Sequence, residues 1–178
     1  VISDKTGVLG LGGIIGGSRS GTTLNTKTIL LEAAHFSPSS IRKTAKNLNI
    51  ETDAKYRFER GVDPNSIEEG LKIATDLIID ICGGVSSKFN LTGKMKLKKK
   101  EIELDLLRFK DVIGFNISPS EIKKILISLG FIVKAGKKKF KVAIPSWRPD
   151  VSQEIDLIEE LVRIKGFDKI SIIEPKKI

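Results

Sequence analysis

Three times along this chain a serine or aspartate followed directly by proline opens a stretch whose apolar residues recur at helical spacing. Ser37-Pro38 precedes Ile41, Ala45 and Leu48; Asp63-Pro64 precedes Ile67, Leu71, Ala74, Ile78 and Ile81; Ser118-Pro119 precedes Ile122, Ile125, Leu126 and Leu129. The short polar side chain can accept a hydrogen bond from an orphan amide of the first turn. Proline has no amide to orphan, so the pair fixes where a helix starts. Each stripe closes at a residue suited to left-handed backbone: Asn49, Gly83-Gly84 and Gly130. Ser118-Pro-Ser-Glu121 also has the spacing of a capping box, in which serine and glutamate each satisfy the other's amide. The same reasoning gives a short helix over 106–113 ended by Gly114 and a final one over roughly 153–165 ended by Gly166.

Strand signals fill the intervals. The apolar but glycine-laden run from Val8 to Ile15 reads as a buried strand leading into a turn, and Thr28–Ala34 as a second buried strand. Residues 101–105 alternate, and Phe131–Val133 and Phe140–Ile144 flank the turn Ala135-Gly-Lys-Lys. The fold class expected is α/β of the α+β kind: a layered α/β half-domain over 1–93, then a small domain over 101–170. Two short helices followed by a hairpin make that second domain winged-helix-like. Residues 94–100 read as a basic linker, and 171–178 as the start of a linker to a further domain. Val1-Ile-Ser reads as the inside of a strand, so the chain is expected to be a piece of a longer protein.

Charge separates the two halves. Residues 1–93 hold 11 Lys and Arg against 10 Asp and Glu; residues 94–178 hold 20 against 12. The excess lies in Lys94, Lys96, Lys98, Lys99 and Lys100, then in Lys134, Lys137, Lys138, Lys139 and Lys141. Such clusters suit a polyanion such as a nucleic acid, and equally suit a lysine-rich surface that keeps a protein dissolved. No apolar run reaches the roughly 18 residues that span a bilayer, and no signal-peptide pattern is present. One cysteine, Cys82, rules out an internal disulfide and fits a reducing compartment, so a cytoplasmic location is expected.

Several residues invite chemistry. Leu11-Gly-Gly-Ile-Ile-Gly-Gly17 lacks the spacing of a dinucleotide-binding turn, and Ser18-Arg-Ser-Gly-Thr-Thr continues it as loop; its glycines offer close backbone approach and free amides. Glu32 ends an Ile-Leu-Leu run, where burial of a carboxylate needs a donor. It is either a rim residue, solvated or paired with Arg57 or Arg60, or an acceptor for a ligand hydroxyl. Residues 52–64 read as a loop in which Arg57, Glu59 and Arg60, with Asp53 and Asp63, knit a buried ion network. His35 stands alone and is expected to have no metal or catalytic role, Cys82 to be a small buried hydrophobe, and Trp147 with Arg148 to anchor the hairpin exit. Asp150 precedes the last helix, and Asp156, Glu159 and Glu160 lie on one face of it. That cluster is either a solvated acidic face or an oxygen-only ligand set for a hard cation. No Ser/His/Asp or Cys/His arrangement is present for nucleophilic catalysis.

In order along the chain, Leu11–Gly17, Thr28-Ile-Leu-Leu-Glu-Ala-Ala34, Arg57-Phe-Glu-Arg-Gly-Val-Asp-Pro64, Ile81-Cys-Gly-Gly84 and Pro145-Ser-Trp-Arg-Pro-Asp150 resemble the bacterial phenylalanyl-tRNA synthetase beta subunits. The resemblance runs over about residues 1–170. It implies the C-terminal part of the family's tRNA-editing domain followed by its winged-helix-like fifth domain. It also implies an editing pocket that removes tyrosine from the phenylalanine tRNA, with Gly16, Glu32, Thr52 and Ala54 at pocket positions. By resemblance Asp150, Asp156, Glu159 and Glu160 match magnesium ligands, in a site completed by the alpha subunit. The family's enzyme joins phenylalanine to tRNA with ATP as a heterotetramer of two alpha and two beta chains. Its aminoacylation site belongs to alpha, so no aminoacylation residue is expected here. Two departures stand out: Gly12 where the family usually has alanine, and Lys55 where it has a small residue. The family's pocket also draws on residues N-terminal to this stretch. A stand-alone basic winged-helix module or an assembly scaffold is the alternative.

Overall fold

A computed structural model of the chain describes residues 1–93 and 100–170. Lys94, Lys96, Lys98 and Lys99 of the expected linker, and all of 171–178, lie outside the described residues. The chain falls into two compact units, Val1–Met95 and Lys96–Ile178. Both mix helices with a small antiparallel sheet.

The first unit opens with three strands in order β1 (Ile2–Asp4), β2 (Gly7–Leu11) and β3 (Ile15–Gly16). At the β1–β2 turn Asp4 accepts from Thr6 and from Arg19, which comes from a 3-10 turn at Ser18–Ser20. The Arg19 guanidinium, with Thr6, holds the Asp4 carboxyl well below the usual carboxylate range. The expected buried strand over 28–34 does not form. A strand is made by pairing, and none of the described strands pairs with this segment, whose Leu30 is 95% exposed.

Helix α1 (Pro38–Leu48) starts and stops as expected, with Pro38 in the first turn and Asn49 left-handed at φ 52°. The Ser37 hydroxyl bonds Ser39 Oγ rather than a helix amide. Ile41 and Ala45 bury against Ile14, with Leu11, Phe36, Ile50 and Phe58 around them, while Leu48 is exposed. Helix α2 (Asp53–Phe58) forms where a loop was expected. A 3-10 turn at Pro64–Ser66, capped by Asp63, leads into α3 (Ile67–Cys82). The α3 stripe is only partly covered: Ile67, Leu71, Ala74 and Ile78 are half-buried, and Ile81 is exposed. Cys82, the last residue of that helix, is exposed rather than buried. It lies past the covered part of the stripe.

The second unit runs β4 (Lys100–Asp105), α4 (Leu106–Ile113), α5 (Pro119–Ser128), β5 (Ile132–Ala135), β6 (Lys139–Ile144) and α6 (Glu154–Lys165). Its antiparallel sheet has the order β4-β6-β5, so two helices and a hairpin follow the first strand in winged-helix manner. Register places Ile102 opposite Val142 and Leu104 opposite Phe140. That face closes over Phe109, Ile122, Leu126, Leu157 and Leu161, each nearly inaccessible. Ser118 caps α5 by accepting from the Glu121 amide, but the reciprocal half of the expected box is absent: the Glu121 carboxylate is paired to Lys165 of α6. At the other end Gly130 donates to Ile127 and Phe131 to Leu126, a Schellman motif with Gly130 at φ +86°. The Trp147 ring lies on that glycine, where a Cβ would stand 2.7 Å away. No helix among the described residues is long and apolar enough to cross a membrane.

Candidate functional site

The glycine turn of the first unit is built from contacts that a side chain would break. Ile14 donates to Leu11 at 2.9 Å, closing the turn between β2 and β3. A Cβ on Gly12 would stand 2.6 Å from the Phe36 ring, and one on Gly13, at φ +69°, 2.7 Å from it. Phe36 is itself fixed edge-on against Phe58 at 5.2 Å. Glycine at 12 therefore makes room for this ring. Gly17 donates to Leu9 at 2.8 Å, and a Cβ there would lie 2.5 Å from the Leu9 carbonyl oxygen.

Gly16 differs from its neighbours. A Cβ on it would meet nothing within 4 Å, and its φ is not positive. Neither packing nor backbone requires glycine there. Gly16 faces a cleft of about 690 Å³ whose lining also includes Ser20, Thr28, Glu32, Ala54 and Phe58. The fold thus brings three of the four expected pocket residues to one cavity.

Thr52 is the fourth, and it does not line the cleft. Its hydroxyl donates to the Ile14 carbonyl at 2.6 Å and accepts from the Lys55 amide at 3.0 Å. One side chain both caps α2 and ties it to the glycine turn, which holds Ala54 at the cleft wall. Glu32 is exposed on the rim and makes no ion pair with Arg57 or Arg60. Its carboxylate has no hydrogen-bond partner among the described residues, so both oxygens are available to a donor.

Lys55 does not enter the cleft. Its ammonium lies 2.9 Å from Glu51 and 3.2 Å from Glu59, and those carboxylates, Glu51 first, raise its pKa. Glu59 also pairs with Arg60 at 3.0 Å, and the Arg60 guanidinium stacks 3.6 Å above Tyr56. Of the expected buried network of Arg57, Glu59 and Arg60 with Asp53 and Asp63, the Glu59–Arg60 pair forms, with Arg60 exposed, and Lys55 joins it in place of Arg57. Once α2 is a helix, residues 51, 55 and 59 share a face at i and i+4, so lysine takes the place assigned to Arg57. Asp63 instead accepts from the Asn65 amide.

In the second unit the four acidic residues are each committed elsewhere or exposed. Asp150 is held by Arg148, and Glu160 by Arg148 and Arg163; both carboxyls lie below their ordinary range, with Arg148 the first cause. Asp156 completes a reciprocal capping box with Gln153, and the Ser152 amide is the first cause of its lowered pKa. Glu159 is exposed. No group of three or more His, Cys, Asp or Glu side chains converges to hold a metal among the described residues. His35 is half-buried and belongs to no such group. Cationic hairpin residues are partly answered across the sheet: Lys139 lies 3.5 Å from Glu103 and Lys134 3.9 Å from Glu101.

Residues 1–83 match the family model of the B3/4 domain, and residues 102–167 that of the tRNA synthetase B5 domain. The phenylalanine–tRNA ligase beta subunit of Rhodopseudomonas palustris is 42% identical over 172 residues, covering 97% of this chain and 21% of that one. Its counterpart from the Wolbachia of Brugia malayi is 42% identical over 174 residues, covering 96% and 22%. The one from Bartonella quintana is 38% identical over 173 residues, covering 97% and 22%. The chain spans about a fifth of the length of these curated relatives. A solved N-terminal fragment of the phenylalanyl-tRNA synthetase beta subunit from Pyrococcus horikoshii overlaps 38% of this chain and 20% of that one, at 25% identity and a TM-score of 0.35, too low to bear on the fold.

Proposed function

Because this chain belongs to the family of phenylalanine–tRNA ligase beta subunits, we propose that its first unit contributes a wall of the pocket that hydrolyses mischarged tyrosyl-tRNA. The second unit then serves assembly with the alpha subunit. The whole enzyme would act in the cytoplasm as two alpha and two beta chains, joining phenylalanine to its tRNA with ATP at a site on alpha. This chain alone would form no aminoacyl-adenylate.

One observation carries the editing reading: Gly16 is a glycine that no neighbour and no dihedral demands, facing the cleft rimmed by Glu32. A position kept free of a side chain beside a free carboxylate suits a ligand that fills the space and donates a hydrogen bond. Tyrosine differs from phenylalanine by one hydroxyl. A second site that requires that hydroxyl separates the two where shape alone cannot. In this account Glu32 accepts from the phenol, Gly16 admits the ring, and Thr52 holds the wall from behind. The described residues recognise the substrate and supply no nucleophile; water would attack the ester.

Magnesium is carried only for the assembled enzyme, where the alpha subunit would complete the shell. As the side chains stand in this chain, Asp150, Asp156, Glu159 and Glu160 do not fit an ion, and no step runs through one. The editing reading is tested with Glu32→Ala in the full enzyme. Deacylation of tyrosyl-tRNA should slow by the equivalent of about 1–3 kcal/mol, the value of one acceptor for a desolvated hydroxyl, with phenylalanine charging nearly unchanged. Unaltered deacylation would remove Glu32 from the pocket.

A further inference from the structure

Arg148 joins two of the four acidic residues of the second unit, Asp150 and Glu160. Its Nε and Nη2 donate to Asp150 at 3.0 and 2.7 Å, and the same Nη2 reaches Glu160 Oε1 at 2.8 Å. Arg163 takes the other oxygen of Glu160. One oxygen of Asp156, Oδ2, accepts from the Ser152 amide at 2.6 Å, the Ser152 hydroxyl at 3.2 Å and the Gln153 amide at 2.9 Å. Lys100, fixed by the Val151 carbonyl at 2.8 Å, brings a third positive charge, which favours the ionised form of Asp156. Asp150, Asp156 and Glu160 are thus each answered by a cation of their own unit, and Glu159 is exposed. Glu160, only 8% exposed, has both oxygens bonded to guanidinium groups.

A hard divalent ion draws its shell from oxygens with free lone pairs, at ligand distances much shorter than these ion pairs. Asp150 accepts the planar fork of Arg148 on both its oxygens, and Glu160 accepts one guanidinium N–H on each of its own, from Arg148 and from Arg163, so the charge of both carboxylates is already answered. We infer that Arg148 is the resident cation of this cluster, and that the chain by itself is closed to divalent ions. An ion can enter only after Arg148 releases Asp150 and Glu160 together. This stands apart from the editing role of the first unit.

Manganese, a paramagnetic probe for magnesium sites, is titrated into the purified full chain and followed by electron paramagnetic resonance, with melting curves in magnesium alongside. The parent chain should show no saturable binding even in the millimolar range that limits weak oxygen-ligand sites. Its melting temperature in magnesium should match that in sodium of equal ionic strength. Arg148→Gln, which removes the fork and its charge, should show saturable binding at manganese concentrations at least about tenfold below that millimolar range. Adding Glu160→Gln to it should cancel the gain. Saturable one-to-one binding by the parent, abolished by Glu160→Gln alone, would overturn the inference. So would a folded Arg148→Gln chain with no gain. Should that variant fail to fold, the parent titration decides the matter by itself.

Discussion

Adjacent glycines in the turn after β2 do opposite jobs, and substitution separates them. Gly17→Ala drives a methyl to 2.5 Å from the Leu9 carbonyl oxygen, which is backbone and can move only by opening the β2–β3 pairing. It should lower the stability of the first unit by roughly 1–3 kcal/mol. Gly16→Ala meets nothing and should leave stability within about 0.5 kcal/mol of the parent. In the full enzyme that same methyl should slow tyrosyl-tRNA deacylation, because it enters the cleft. Denaturant melts of the two variants beside the deacylation assay check both halves; a Gly16→Ala chain that melts early would make the glycine structural. Sequence alone marks the whole turn as permissive backbone, and only the atoms around each Cβ tell the two kinds of glycine apart. Glu32 was legible as an odd carboxylate after an apolar run. The commitment of Glu160 to Arg148 and Arg163 was not, since it joins the hairpin exit to α6 through folding of the whole unit.

Helix boundaries were read well where the signal is local. Proline and a small polar residue at the start, and glycine or asparagine at the end, act over one turn and need no partner elsewhere. Elements that depend on distant partners carry no such local signal. Thr28–Ala34 has strand composition but no described strand to pair with. Helix α2 has only six residues, too few to display a stripe, although Thr52-Asp53 carried an N-cap and an acidic first turn. Its existence rests largely on Thr52. Thr52→Val keeps the shape and loses both the Lys55 cap and the Ile14 bond, which should cost about 1–3 kcal/mol and loosen the glycine turn. Thr52→Ser should recover most of that. Amide exchange at Lys55, read by NMR, is the direct measure; equal protection in the valine variant would show that α2 does not need its cap.

The two units differ in how much apolar surface they bury, and hydrogen exchange should rank them. The second encloses a full set of inaccessible side chains between its sheet and three helices, whereas among the described residues the first buries only Ile14, Ile41 and Ala45 to that degree. Local stability follows such burial. Amides of α3, whose Ile73, Leu77 and Ile81 are exposed, should exchange well before those of β6 and α6 in the isolated chain. Comparable protection in α3 and α6 would contradict that ranking. The division into halves was visible in the charge shift and in the two runs of helix signals, but their unequal cores were not, because periodic apolar stripes look alike whether or not something covers them. Trp147, laid on Gly130, is the chain's only tryptophan, and Tyr56, under Arg60, its only tyrosine. Each unit therefore carries a chromophore of its own. Indole emission follows the hairpin and α5 of the second unit, and phenol emission, at its own shorter wavelength, follows α2 of the first. A single sample, watched at two wavelengths during one melt, can report two transitions without any label.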